Sequence, residues 1–357
     1  MNAAGTGRTP RYTVAQQTRL DDFMPLSAGI GTPHQTSKDK KMQTRILGNS
    51  DMAITRIGLG AWAIGGQWAW GWGAQDDRES IATIHAALDS GINWIDTAPV
   101  YGLGHSETVV GKAIQERSEK PYIFTKCSLV WDDEKNIVSR LDKTSVKKEC
   151  EDSLKRLGVD CIDLYQVHWP NPAEDIETGF EAMAELRAEG KIRYAGVSNF
   201  SVEQMERVRP ICPVTSLQPP YSLVFPEVEN EILPYCLENE IGVINYSPMA
   251  SGLLTGKMTR ERLAGLAEDD WRRKSEHFTE PQLSRNLALV EVLRTIAEEQ
   301  GCTVGEAAIA WTLLNPAITG AIVGLRKPGQ VEGVIHAGEI GLSPDQAARL
   351  SMFLAEN

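Results

Sequence analysis

Four residues set acid, base or charged groups at the ends of apolar runs: Asp96 in NWIDTA, Tyr101 five residues later, Lys126 closing YIFTK, and His168 in VHWP. A lysine closing an apolar strand is costly to bury unless it meets an anion, and Asp96 at a neighbouring strand end is the obvious partner. Taken alone, Asp96 and Lys126 read equally well as a structural ion pair. Tyr101 shifts that balance, because the loop leaving the strand of Asp96 can project it over the mouth of a sheet. A phenol beside an ammonium has its ionised form stabilised, which is expected to lower its pKa from about 10 and make it a proton donor nearer neutrality. His168 alone would be a structural histidine. Facing a Tyr–Lys–Asp cluster, it could orient a carbonyl group or relay a proton.

Such side chains need strands to bring them together. From Met42 the pattern is regular. MQTRILGNSDMAITRIGLG predicts a short hairpin, turned at Gly48-Asn49, followed by a buried strand. Candidate strands then fall at Ile57–Gly60, 93–96, 122–126, 163–168, 194–198, 216–218, 242–246 and 321–324, separated by helical patterns such as 78–90, 144–157, 178–189, 228–240 and 285–300. Alternating strands and helices of this number predict an α/β fold, a parallel (β/α)8 TIM barrel with an N-terminal β-hairpin and two extra helical segments. A doubly wound sheet is the competing layout, but no G-x-G-x-x-G opens a helix after an early strand. In a barrel, functional side chains sit at the C-terminal strand ends. Asp96 ends the second strand, Lys126 the third, His168 the fourth, Ser198-Asn199 the fifth and Gln218 the sixth. Tyr246 ends the seventh, and Gly324 with Arg326 the eighth.

The bulk of the sequence narrows the partners. A chain of 357 residues with a formal charge of −12 has no long basic run, the densest being Lys38-Asp39-Lys40-Lys41, so nucleic acid is not expected as a partner. No apolar stretch is long enough to span a bilayer, and no apolar segment follows a charged N-terminus as in a secretory signal. Six cysteines are scattered singly without a C-x-x-C pair, which fits a reduced cytoplasmic setting. Residues 1–41, rich in Gly, Thr, Ser and Gln, are expected to be a disordered extension, with 42–357 a single barrel domain. The histidines at 34, 85, 105, 168, 277 and 336 show no metal-ligand spacing, so no metal is expected.

Taken together, DTAPVYGLGHSE, FTKCS, LYQVHWPNP, KIRYAGVSNFS, QPPYSL, YSPMASGLLTGK and IVGLRKPGQVE resemble, in order, the motif series of the aldo-keto reductase superfamily. The match covers nearly all of residues 43–345, and with the GLGAWAIGG opening it is most similar to bacterial stress-type, NADPH-dependent members. The resemblance implies that Asp96, Tyr101, Lys126 and His168 are a catalytic tetrad. Ser198, Asn199 and Gln218 would hold the nicotinamide carboxamide, and Tyr246 would stack on the ring. Ser247, Met249, Ser251, Gly252, Leu253 and Lys257 would wrap the pyrophosphate. Gly324, Arg326 and Gln330 would reach the adenosine end, where an arginine favours the 2′-phosphate of NADP, with NAD as the second candidate. The sequence departs from the family where a Glu-Asn pair commonly contacts adenine, since Gly333 and Val334 stand there, with Glu332 nearby.

The expected reaction is therefore reduction of an aldehyde or ketone, with Tyr101 protonating the developing alkoxide. Trp62, Trp68, Trp70 and Trp72, with Trp131 and Trp169 after later strands, would line an apolar substrate pocket or pack the loops against the rim. The charged stretch 268–280 could fold over the cofactor, with Arg272 or Arg273 near phosphate, or remain a solvated loop. The partner is then a small carbonyl compound, and the chain a monomer or weak homo-oligomer. Two other readings compete. One is a cofactor-binding regulatory subunit resembling channel-associated barrels with little turnover. The other is a metal-dependent barrel hydrolase or isomerase, which lacks ligand clusters.

Overall fold

The computed structural model describes residues 42–356, so the expectation for 1–41 lies outside the described residues. The chain opens with β1 (Thr44–Ile46) and β2 (Ala53–Thr55), an antiparallel hairpin in which Thr44 pairs with Thr55. Its turn starts at Gly48, whose φ is +51° and where a Cβ would lie 2.2 Å from the Thr215 carbonyl. Only glycine allows both the backbone angle and that approach.

Strands β3 (Ile57–Gly60), β4 (Trp94–Asp96) and β5 (Tyr122–Cys127) follow, then a second small hairpin, β6 (Leu129–Trp131) and β7 (Ile137–Ser139). Next come β8 (Ile162–Val167), β9 (Ile192–Ser198), β10 (Val214–Gln218), β11 (Gly242–Asn245) and β12 (Ile318–Gly324). β3, β4, β5 and β8 through β12 close into an eight-stranded barrel, every pairing parallel. The fold is the expected (β/α)8 barrel, and all eight predicted strands are its staves. The β6–β7 hairpin was not anticipated, because the charged middle of LVWDDEKNIVS hides two three-residue strands.

The helices are α1 (Asp77–Asp89), α2 (His105–Gln115), α3 (Lys143–Leu157), α4 (Ile176–Ala188), α5 (Val202–Val208), α6 (Ile232–Glu238), α7 (Arg260–Ala264), α8 (Gln282–Gln300), α9 (Val304–Leu314) and α10 (Pro344–Glu356). Several begin on side-chain caps. Asp76 accepts from the Glu79 amide, Asp142 from Ser145, and Thr303 forms a reciprocal capping box with Glu306. The predicted helix 228–240 is instead a 3-10 turn, Glu227–Glu229, followed by α6. Pro234 has no N–H to bond back to residue 230, so a helix containing it can only start just before it.

The strands' period of two explains why the barrel is dry below and polar above. Trp94, Phe124, Leu164, Ile244 and Ile322 point inward and pack with Leu47, Met52 and Ile54 from the first hairpin, which plugs the N-terminal end. Two residues further along the same inward faces come Asp96, Lys126, Gln166, Tyr246 and Gly324. The outward faces pack against the helices in one large apolar cluster.

Candidate active site

Lys126 is fully buried, and its ammonium has three partners, one for each proton. It donates to Asp96 Oδ1 at 2.5 Å, to the Thr97 carbonyl at 2.9 Å and to Tyr101 Oη at 3.2 Å. The other carboxylate oxygen of Asp96 accepts from Gln218 Nε2 at 2.9 Å and from Gln166 Nε2 at 3.1 Å. Asp96 is thus a fully bonded buried anion, the condition under which a buried ion pair holds together. Gln166 was missed in the sequence. The signal was present, since it lies two residues before His168 on an otherwise apolar inward face.

Electrostatics in this floor depart from the sequence expectation in one respect. Burial pushes the Tyr101 phenol above its usual 10, and the nearby Lys126 ammonium opposes that rise without reversing it, while the Asp96 carboxylate adds to it. The expected lowering is therefore corrected: removal from water outweighs the attraction of one ammonium already shared with a carboxylate. Burial alone would lower Lys126, but Asp96 and Tyr101 hold it above its usual value. His168, whose ring meets Tyr101 edge-on at 5.7 Å, is held well below 6.5 by burial, with the Lys126 charge adding to the effect. The floor thus presents a protonated phenol, a neutral imidazole and a charged ammonium around one point. An oxygen placed there could accept from both the phenol and a ring N–H, and a phenolate left behind would be stabilised by Lys126.

A cavity of about 380 Å³ opens above these groups, with Asp96, Tyr101 and His168 at its base. Trp62, Trp68, Trp70, Trp72, Trp169 and Trp271 form its walls, and Trp68 lies 5.9 Å from the Tyr101 ring. The cavity continues as a cleft past Ser198, Asn199, Gln218, Tyr246, Ser247, Met249, Ser251 and Gly252 to Gly324. Trp131 lies outside it and lines a neighbouring cavity with Trp68.

The structure ties several of the cleft residues together. Tyr246 Oη donates to Asn199 Oδ1 at 2.9 Å, and Asn199 Nδ2 donates to the His168 carbonyl and to Ser198 Oγ. Ser198 Oγ in turn donates to the Gln218 carbonyl at 2.8 Å. Gln218, which lines the cavity, spends its amide donors on Asp96 and Gln166. Leu253 is buried in the core, so only its backbone can border the cleft, and Lys257 is exposed beyond the lining. Gln330 Oε1 accepts from the Arg326 and Lys327 amides, and Arg326 reaches toward Trp72 rather than into the cleft. Gly333 gives its carbonyl to Thr303, and Val334 is buried. Of the arginines in 268–280, Arg272 is clamped by Asp270, donates to the Ser251 carbonyl at 3.4 Å and lies 5.0 Å over the Trp72 ring. Arg273 bonds to the Leu266 carbonyl instead. This segment therefore bridges the two walls of the cleft.

Among the described residues, no three His, Cys, Asp or Glu side chains are grouped to hold a metal, and no helix is long and apolar enough to cross a membrane. A profile of the Aldo/keto reductase family matches residues 56–355. The chain belongs to this family. Among its aldo/keto reductase relatives, the aldo-keto reductase YhdN of Bacillus subtilis (strain 168) is 43% identical over 82% of this chain and 88% of its own. The NADH-specific methylglyoxal reductase of Escherichia coli (strain K12) is 35% identical over 87% of this chain and 97% of its own. Among solved structures, the glycerol dehydrogenase of Gluconobacter oxydans superimposes with a TM-score of 0.81 at 40% identity, covering 88% of this chain and 95% of that one.

Proposed function

We propose that this aldo/keto reductase reduces aldehydes or ketones to alcohols, with Tyr101 as the proton donor and a nicotinamide dinucleotide as reductant. The observation that carries the reading is the buried Tyr101 Oη, 3.2 Å from Lys126 Nζ, at the base of an aromatic cavity. The cleft beside it fits a dinucleotide. A Cβ built on Gly252 or Gly324 would meet nothing within 4 Å, so the cleft walls are open at both places. Asn199, Gln218 and the face of Tyr246 offer amide groups and an aromatic surface at the end nearest Tyr101.

A reduced nicotinamide held there by Asn199, Gln218 and Tyr246 would supply hydride to the carbonyl carbon. The protein does the rest. Tyr101 hands its hydroxyl proton to the carbonyl oxygen, Lys126 stabilises the phenolate, and solvent restores the proton. Asp96, held by Gln166 and Gln218, keeps Lys126 charged and in place. His168, neutral, donates a ring N–H to the same oxygen and orients it. NADPH is the first candidate on the resemblance of IVGLRKPGQVE to the family's adenosine-end segment, although the Arg326 guanidinium is committed here to Trp72, Ala74 and Gln75. NADH is the second candidate, since one relative is named for NADH specificity.

The test is oxidation of NADPH and NADH with a panel of aldehydes, by the native protein and Tyr101→Phe. Turnover should fall by roughly 10²–10⁴-fold in the variant, the range of general acid catalysis, with cofactor affinity unchanged. Tight cofactor binding by the native protein without turnover would instead favour a regulatory binding module.

A further inference from the structure

We propose that Arg326 is a positioning residue for the tryptophan wall of the cavity, and so sets which carbonyl compounds fit whichever nicotinamide dinucleotide is bound. The proposal rests on the reading that this cavity takes a carbonyl substrate.

Just beyond the end of β12, the Arg326 guanidinium reaches across to one tetrapeptide. It donates to the Trp72 carbonyl at 3.2 Å, to the Ala74 carbonyl at 2.9 Å and to Gln75 Oε1 at 2.8 Å. Gln75 returns a bond from Nε2 to the Arg326 carbonyl at 2.9 Å. All of these partners are neutral, so the guanidinium holds the chain by hydrogen bonds of the stronger, charge-assisted kind and not by pairing with an acid.

Besides Arg326, the tethered segment is held by the Arg272 guanidinium over the Trp72 ring and by the Gly71 amide donating to the Trp68 carbonyl. The first acts on the ring and the second within the loop, so Arg326 is what ties its backbone to the barrel. Between the short helix ending at Gly65 and the start of α1 at Asp77 there is no regular element. A Cβ on Gly73 would meet nothing within 4 Å. Trp68 and Trp72 have buried indole N–H groups without a hydrogen-bond partner, so packing and the segment's anchors hold these rings. Trp72 packs edge-on against Trp62 at 5.0 Å, Trp62 against Trp68 at 6.2 Å, and Trp68 lies over Tyr101. A shift at the Trp72 carbonyl is therefore passed through three rings to the space above the phenol. Without the tether, a large carbonyl compound that leans on the wall loses its contacts, while a small one seated at Tyr101 and His168 does not.

The deciding experiment uses the full chain with NADH as sole cofactor, which removes the 2′-phosphate from the comparison. Arg326→Met and Gln75→Leu should each raise KM for a bulky aromatic aldehyde roughly five- to tenfold, and in Gln75→Leu kcat for a small aliphatic aldehyde should stay within about twofold. Acrylamide quenching of tryptophan fluorescence in the cofactor-free variants should increase. Unchanged KM values with NADH in Arg326→Met, alongside weakened NADPH binding, would overturn the proposal and leave Arg326 as a cofactor contact alone. An effect in Arg326→Met that Gln75→Leu fails to reproduce would also overturn it. If the native protein reduced no carbonyl compound, the activity reading would fail, and the quenching comparison would still decide whether Arg326 holds the wall.

Discussion

At the floor of the cavity, each proton of Lys126 has its acceptor and both oxygens of Asp96 have donors. At the mouth, Trp68, Trp72 and Trp271 keep buried indole N–H groups with no partner, and Trp70 and Trp169 are about half exposed. The floor stands on or just beyond strand ends, whose spacing is fixed by ladder hydrogen bonds. The mouth stands on loops tied down by single residues such as Arg272 and Arg326. Under the proposed function, chemistry that needs fixed distances would sit on ladder-held strand ends, and substrate selection on the loops of the mouth.

Changes to the floor should therefore damage stability and rate together. Lys126→Met leaves Asp96 as a buried carboxylate without its cation, which costs about 3–5 kcal/mol in comparable cases. Urea unfolding should show a loss near the lower end of that range, because Gln166 and Gln218 still donate to Oδ2. A loss below about 1 kcal/mol would mean that the pair is not what holds the floor.

The mouth should behave in the opposite way. Trp169 lines the cavity with 46% of its surface exposed, so Trp169→Ala should move stability by no more than about 0.5 kcal/mol. Its KM for bulky carbonyl compounds should still shift by roughly 10-fold, the scale of a lost apolar contact in a pocket. Equal shifts for small and large substrates would erase the distinction drawn between the regions.

The smallest effect concerns Glu149, which lies behind both regions. It accepts from the Ser128 amide, and Ser128 Oγ bonds to the backbone of Trp169. Burial pushes its carboxyl up to about 8 from 4.5. Between those values the folded state holds a proton that the unfolded chain has lost, so stability declines as pH rises through that window. In Glu149→Gln the decline should shrink, visible as a Tm drop between about pH 5 and pH 8 that is smaller by a few degrees.

The floor was more legible in the sequence than the mouth. Asp96, Lys126, His168 and Gln218 each close a short apolar run, and a period of two places such residues inside a barrel once eight runs are counted. Gln166 escaped because it sits inside the run LYQVH instead of at its end. The Tyr101 shift escaped because sequence shows an ammonium nearby but not the depth of burial. The mouth depends on contacts between residues far apart, such as Arg326 with Gln75 and Arg272 with Trp72, and no local pattern encodes them. The β6–β7 hairpin and the break before α6 were lost to short strands and to one proline.

The pH dependence of kcat for a small aldehyde, at saturating substrate and cofactor, tests the role of Tyr101 most directly. With the phenol as donor, its pKa raised by burial, and His168 neutral throughout, activity should hold level from about pH 6 to pH 9 and fall only beyond that. A decline centred between about pH 6 and pH 7 would show that an imidazolium gives the proton, and would contradict the assignment of Tyr101.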